Sequence, residues 1–217
     1  MRHRLVLGSA SPARLSTLRA AGLHPEVIVS GVDEDGVDAA GPAELADLLA
    51  RLKAEAVVTE LRARSAGAGP AAPTAPAGTT IVIGCDSVLD LDGVAYGKPH
   101  TAQVARTRWR MMRGATGVLH TGHRVVVLTG DELVETAAVS GTGSTVVHFG
   151  TPSDEEIDAY VATGEPQRVA GAFTLDGLGG AFVSGVEGDP HNVVGISLPL
   201  LRRLLAGLGI KWVDMWQ

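Results

Sequence analysis

The chain has 217 residues, 45% of them hydrophobic, and a formal charge of −6. That is enough apolar material for a buried core and the wrong charge for wrapping a nucleic acid polymer, which needs clustered Lys and Arg to displace counterions; a small anionic ligand held by local cations stays open. With one cysteine, Cys85, no signal peptide and no apolar run long enough to span a bilayer, a cytoplasmic protein without disulfides or a membrane partner is expected.

The run Leu5-Val6-Leu7-Gly8-Ser9-Ala10-Ser11-Pro12-Ala13-Arg14 reads as strand, loop and helix start, with Ser9 or Ser11 as cap and Pro12 in the first turn. Backbone N–H groups and the helix dipole favour a phosphate above such a loop, and Arg14 adds a full charge, although neither a Walker A nor a GxGxxG pattern is present. The helix ends at Gly22, and Val27-Ile28-Val29 reads as a strand leading to Asp33-Glu34-Asp35. Pro42 to Arg64 has an apolar period close to 3.6 and carries Lys53. Residues 65–79 hold Ala, Pro and Gly but no bulky apolar side chain, so a flexible insert is expected there, within one domain covering 1–217.

Thr80 to Cys85 reads as a buried strand ending at Asp86-Ser87, and Val88 to Ala95 as a hairpin around Asp92-Gly93. Gly97-Lys98-Pro99 and a helix from about Thr101 to Met112 follow. Val118–Thr129 and Leu133–Phe149 suggest a long antiparallel pair, and Ser153 to Glu156 a capping box before a helix. Glycine-dense residues 171–180, a short strand at Ala181-Phe182-Val183 and a helix from about Leu198 to Leu208 complete the chain. Interleaved helices and strands predict an α/β fold with a mixed sheet and flanking helices.

Asp33-Glu34-Asp35 and Asp86 both fall after apolar strands, where open α/β sheets place ligand crevices. Carboxylates are hard ligands suited to Mg²⁺ or Mn²⁺, and Arg14, Lys53 and Lys98 would neutralise phosphate charge. His120 and His123, three apart on a strand, point to opposite faces and cannot share a zinc ion. Cys85 lacks a base and reads as a core residue, and no Gly-x-Ser-x-Gly elbow supports a serine hydrolase.

Together these segments resemble one family, the Maf or septum formation proteins, described as nucleoside triphosphate pyrophosphatases. The resemblance runs from Gly8-Ser9-Ala10-Ser11-Pro12-Ala13-Arg14 through Asp33-Glu34, Lys53-Ala54, Ile83-Gly84-Cys85-Asp86-Ser87, Gly97-Lys98-Pro99 and His120-Thr121-Gly122. It continues through Gly164-Glu165-Pro166, Ala170-Gly171-Ala172-Phe173 and Asn192-Val193-Val194-Gly195. It implies an elongated α/β fold similar to that of inosine triphosphate pyrophosphatases, with two lobes around a nucleotide cleft. It also implies hydrolysis of a nucleoside triphosphate to the monophosphate and pyrophosphate with a divalent cation, Mg²⁺, Mn²⁺ or Co²⁺.

By this resemblance Asp86 is the general base and Lys98 its catalytic partner, while Ser9, Ser11, Arg14, Lys53, Ser87 and Asp176 contact substrate and Glu34 and Asp86 the metal. The family commonly has two arginines after the proline, and here Ala13 takes the first place. Members preferring thymidine and uridine triphosphates carry threonine after the aspartate and glutamine in the later glycine-rich loop, where this chain has Ser87 and Asp176. The implied substrates are pyrimidine or modified, non-canonical triphosphates. The competing expectation is a non-catalytic nucleotide-binding regulator of cell division, against which Asp86, Glu34 and Lys98 speak because a binding module needs no base. A homodimer is the default oligomer.

Overall fold

The computed structural model describes residues 3–34, 36–67 and 78–216. One mixed sheet runs through it in the order β2-β1-β3-β5-β6-β7, with β4 added to β3. The strands are β1 (Arg4–Gly8), β2 (Glu26–Val27), β3 (Thr79–Leu91), β4 (Val94–Tyr96), β5 (Thr116–Thr129), β6 (Val134–Phe149) and β7 (Val183–Glu187). β1 lies parallel to β3, and the long β3, β5 and β6 form an antiparallel meander. The expected α/β class with a mixed sheet is what the chain adopts.

Two faces of the sheet are covered differently. On one lies the single long helix α2 (Pro42–Gly67), whose Ala54, Val57, Val58 and Leu61 pack on Val6, Val82, Val126 and Leu128. On the other, α1 (Pro12–Ala20) and α6 (Leu198–Gly207) cover one end, burying Leu18, Leu201 and Leu205 against Leu7, Ile83 and Cys85. The far end is covered by α3 (Ala102–Met112) and α4 (Asp154–Ala162), centred on fully buried Trp109. The short α5 (Pro190–Val194) joins β7 to α6.

Local chemistry accounts for most element ends. Ser11, Thr101 and Ser153 each cap a helix by accepting a backbone N–H, and Ser153 with Glu156 completes a capping box. Asp92 and Gly93, at φ 52° and 80°, form the turn between β3 and β4, a geometry matching the twist of the flanking strands.

Several boundaries differ from expectation. The second strand is only Glu26–Val27, because β1 offers it just two residues of register. α2 continues through residues 65–67 and β3 begins at Thr79, so the expected insert loses both its ends, and its remainder at 68–77 lies outside the described residues, as does Asp35. β7 is Val183–Glu187 rather than 181–183, since Leu178–Phe182 winds into a 3₁₀ turn. β3 does not stop at Asp86 but runs to Leu91, held by twelve register partners on β5.

Gly8, Gly84 and Gly122 share the face under α2, since Gly8 lies opposite Gly84 and Gly122 opposite Asp86. A β-carbon at Gly84 would run into the Ala50 carbonyl and lie 2.8 Å from Ala54 N. At Gly122 it would strike the Ala46 carbonyl and come 2.7 Å from Asp47 N. These glycines therefore let the helix backbone rest directly on the sheet. Gly122→Ala should destabilise the fold by about 1–3 kcal/mol through overpacking, read from denaturant unfolding. Gly207→Ala, with open space around it, should stay within about 0.5 kcal/mol. An unchanged midpoint for Gly122→Ala would show that α2 is not seated on this contact.

Candidate active site

β1 and β4 pair with the same edge of β3 but do not meet: β1 ends opposite Gly84, and the antiparallel β4 runs from Leu91 back only as far as Leu89. Between them, residues 85–88 keep β5 on one edge and have no strand partner on the other among the described residues. A cleft of about 890 Å³ opens at this gap. Asp86 therefore reaches it from mid-strand, not from a strand end. Alternation sends Asp86 toward α2 and its neighbours Cys85 and Ser87 to the opposite face.

Lys53, on α2, meets Asp86 there. Its ammonium is ion-paired with Asp86 Oδ1 and lies 2.7 Å from Glu34 Oε1. Lys53 is 6% exposed and Asp86 5%, so the charges are out of water and persist because they are paired. Glu34 carries the chain onward to Lys98, whose Nζ is 3.7 Å from the same Oε1. Burial raises the Glu34 carboxyl, but the hydrogen bond and charge of Lys53, with Lys98 and Arg14, outweigh it and hold the group below the usual carboxylate range. The backbone before Lys98 is anchored through Gly97 O, which accepts from Arg108 Nη1 and from Gly171 N.

On the other face Arg14, also buried, is fixed by three donations: Nε to Gly195 O at 2.7 Å, Nη1 to Ser9 Oγ and Nη2 to Ser87 Oγ, both at 2.9 Å. Ser87 Oγ lies 2.9 Å from Thr121 Oγ1, which itself donates to Asn192 O. The guanidinium has five N–H groups, so two are left for a ligand. Ser11 Oγ is committed to capping α1.

Every candidate residue singled out from the sequence lines this one cleft: Ser9, Ser11, Arg14, Glu34, Lys53, Asp86, Ser87, Lys98 and Asp176. Sequence reasoning missed Arg168, also on the cleft wall, because a single arginine in an irregular segment carries no signal. It also gave Thr121 and Asn192 no role, since their partners come from distant strands. The histidines separate as expected: His123 is fully buried, while His120 faces Asp90 and Ser144 on the other side. Cys85 is fully buried, and burial pushes its thiol up to about 12, which leaves it inert.

The charged side chains on the described wall balance, with Arg14, Lys53, Lys98 and Arg168 against Asp33, Glu34, Asp86 and Asp176. A polyphosphate in a cleft with no net charge calls for an added cation, and Glu34 and Asp86 offer hard oxygens for one. Among the described residues no group of three or more His, Cys, Asp or Glu side chains gathers around one point. The donor set thus suits an ion such as Mg²⁺, which takes few protein ligands and completes its shell with water and phosphate.

Residues 4–208 match the profile of the family described as Maf-like protein. A nucleoside triphosphate pyrophosphatase of Streptomyces coelicolor is 54% identical over 99% of this chain and 95% of its own length. One from Salinispora tropica is 55% identical over 98% and 87%. The solved Ham1 protein of Staphylococcus aureus superposes with a TM-score of 0.43 at 13% identity, over 94% of this chain and 99% of that one. No helix among the described residues is long and apolar enough to cross a membrane.

His123 ties the Arg14 side of the cleft together. Ser197 N donates to its Nε2 at 2.9 Å, which leaves the proton on Nδ1 to donate to Thr121 O at 3.0 Å. Burial, reinforced by the charge of Arg14, pushes its pKa down to about 4, against the Thr121 and Gly141 backbone bonds and Asp189. The unfolded chain takes up this proton near pH 6.5 and the folded chain only near 4, so stability falls as pH drops through that window. The loss should be on the order of 2 kcal/mol by pH 5. Urea unfolding of the wild type and His123→Gln at pH 7 and pH 5 tests this; an equal drop in both would assign the acid sensitivity elsewhere.

Proposed function

This chain belongs to the Maf-like protein family, and on that premise we propose that it is a divalent-cation-dependent nucleoside triphosphate pyrophosphatase acting on pyrimidine or modified triphosphates. The observation that carries the reading is a carboxylate, Asp86, in a cleft lined by Arg14, Lys98 and Arg168 and oriented by the buried ammonium of Lys53. A non-catalytic nucleotide-binding regulator would need the cations but no proton acceptor among them.

In this reading Arg14 and Lys98 bind phosphate oxygens, Arg14 through its two uncommitted N–H groups. Asp86 accepts a proton from water as the water oxygen bonds to the α-phosphorus. The bond from that phosphorus to the bridging oxygen breaks, and pyrophosphate leaves with the electron pair. Lys53, ion-paired with Asp86, aims its carboxylate into the cleft, and as substrate charge arrives it stabilises the developing negative charge. Glu34 and Asp86 would hold the cation, whose contribution is to acidify the attacking water and offset phosphate charge.

Asp86→Asn keeps the side-chain shape and removes the proton acceptor. Pyrophosphate release should fall by roughly 10²-fold to 10⁴-fold, while calorimetry with a triphosphate and Mg²⁺ should still report binding through Arg14 and Lys98. Near-normal turnover would eliminate Asp86 as the base, and joint loss of binding and turnover would make it chiefly a metal ligand.

A further inference from the structure

Phe173, Thr174 and Asp176 bring a glycine-rich loop to the cleft wall. Its start is tied down by Gly171 N donating to Gly97 O and Trp109 Nε1 donating to Ala172 O, and one carboxylate gathers the rest. Glu165 Oε1 accepts from Thr174 Oγ1 at 2.6 Å, Tyr160 OH at 2.9 Å and Gly179 N at 3.1 Å, and Oε2 from Leu178 N at 3.2 Å. A β-carbon at Gly177 would lie 2.8 Å from Glu165 Oε2, and one at Gly179 would run into the Tyr160 hydroxyl. Both glycines thus allow the loop backbone to be drawn against the clamp. Tyr160 is itself packed among Trp109 and Phe182, with ring centroids 5.6 Å from each, so the clamp is mounted on the core. Burial raises the Glu165 carboxyl, but its donors, Thr174 first, outweigh this and keep it ionised.

Asp176 is exposed in the middle of the clamped segment, between Thr174 and Leu178, and has neither hydrogen bond nor ion pair to the described residues. Its carboxylate can only accept. We propose that Glu165 is a positioning residue for base selection, fixing Asp176 so that the cleft favours a base edge bearing an amino donor over one presenting a carbonyl. This rests on the triphosphate pyrophosphatase reading. Cytidine and uridine triphosphates are the cleanest pair, because a carboxylate pairs with the cytosine amino group and meets an acceptor at the same place in uracil.

The test measures kcat and KM for both nucleotides in the wild type, Glu165→Ala, Glu165→Gln and Asp176→Asn. The wild type should prefer the cytidine nucleotide by about tenfold or more in kcat/KM, since one edge leaves a polar group unpaired and the other does not. Glu165→Ala should bring that ratio to within about threefold of unity through KM, with kcat little changed. Glu165→Gln should restore most of the preference, because an amide oxygen in the Oε1 position keeps the Thr174, Tyr160 and Gly179 donors and gives up only Leu178. Asp176→Asn should lose the preference with Glu165 intact. A wild type without the preference, or a Glu165→Ala enzyme that loses efficiency equally on both nucleotides, overturns the proposal. If Glu165→Ala fails to fold, Thr174→Val removes the shortest of these bonds and should weaken the preference in the same direction. If no triphosphate releases pyrophosphate, the functional reading fails, whereas calorimetry of the two nucleotides against wild type and Glu165→Ala still decides the selection role.

Discussion

The ammonium of Lys53 cannot stay buried in this protein without its carboxylates. Removing one partner from a buried pair commonly costs 3–5 kcal/mol because a charge is left in low dielectric, and here Asp86 and Glu34 converge on the same nitrogen. The pair constrains the fold because its partners come from different layers, Lys53 from α2 and Asp86 from the middle of β3. The layers meet closely enough only because the sheet carries Gly84 and Gly122 under the helix backbone. Glycine placement, helix seating and the aim of Asp86 are thus one dependency read at three levels.

The opposite face of β3 solves a different problem. Three of the donors of buried Arg14 go to neutral acceptors, two hydroxyls and a carbonyl. Neutral partners fix the guanidinium while leaving its charge uncompensated, and binding then loses little side-chain entropy. Lys53 is neutralised and Arg14 is not. That division suits one cation to orienting a carboxylate and the other to attracting an anion. Because Gly195 O is one of the acceptors, the turn after α5 and its neighbour Ser197, bonded to His123, belong to the same support.

Legibility from sequence followed the range of the interactions. The capping box at Ser153, the cap near Pro12 and the turn at Asp92-Gly93 depend on neighbours within a few residues, and the chain announces them, although the choice of Ser11 over Ser9 waits on the structure. The continuation of β3 through Asp86 was not legible, because a polar Asp-Ser pair looks like a strand end when the partners on β5 are unseen. α5 is too short to show a period, and β7 is displaced by a 3₁₀ turn that no spacing announces. In the cleft the candidate side chains do gather, but who pairs with whom was hidden. Lys53 and Asp86 are 33 residues apart and Arg14 and Gly195 181 apart, and only tertiary register joins them.

The cleft is therefore built to two standards of rigidity. Around Asp86 the position of each group is set by backbone resting on backbone, where even one added methyl meets a carbonyl oxygen. In the glycine-rich loop beyond Ala172, position depends on a side chain, Glu165, gathering the Thr174 hydroxyl and the Leu178 and Gly179 amides. Perturbing the first arrangement disturbs the sheet and helix that make the core; perturbing the second moves the exposed segment around Asp176 that Glu165 gathers. A fold with this asymmetry can change what it recognises at the loop while the Asp86 end, and whatever reaction it supports, stays as it is.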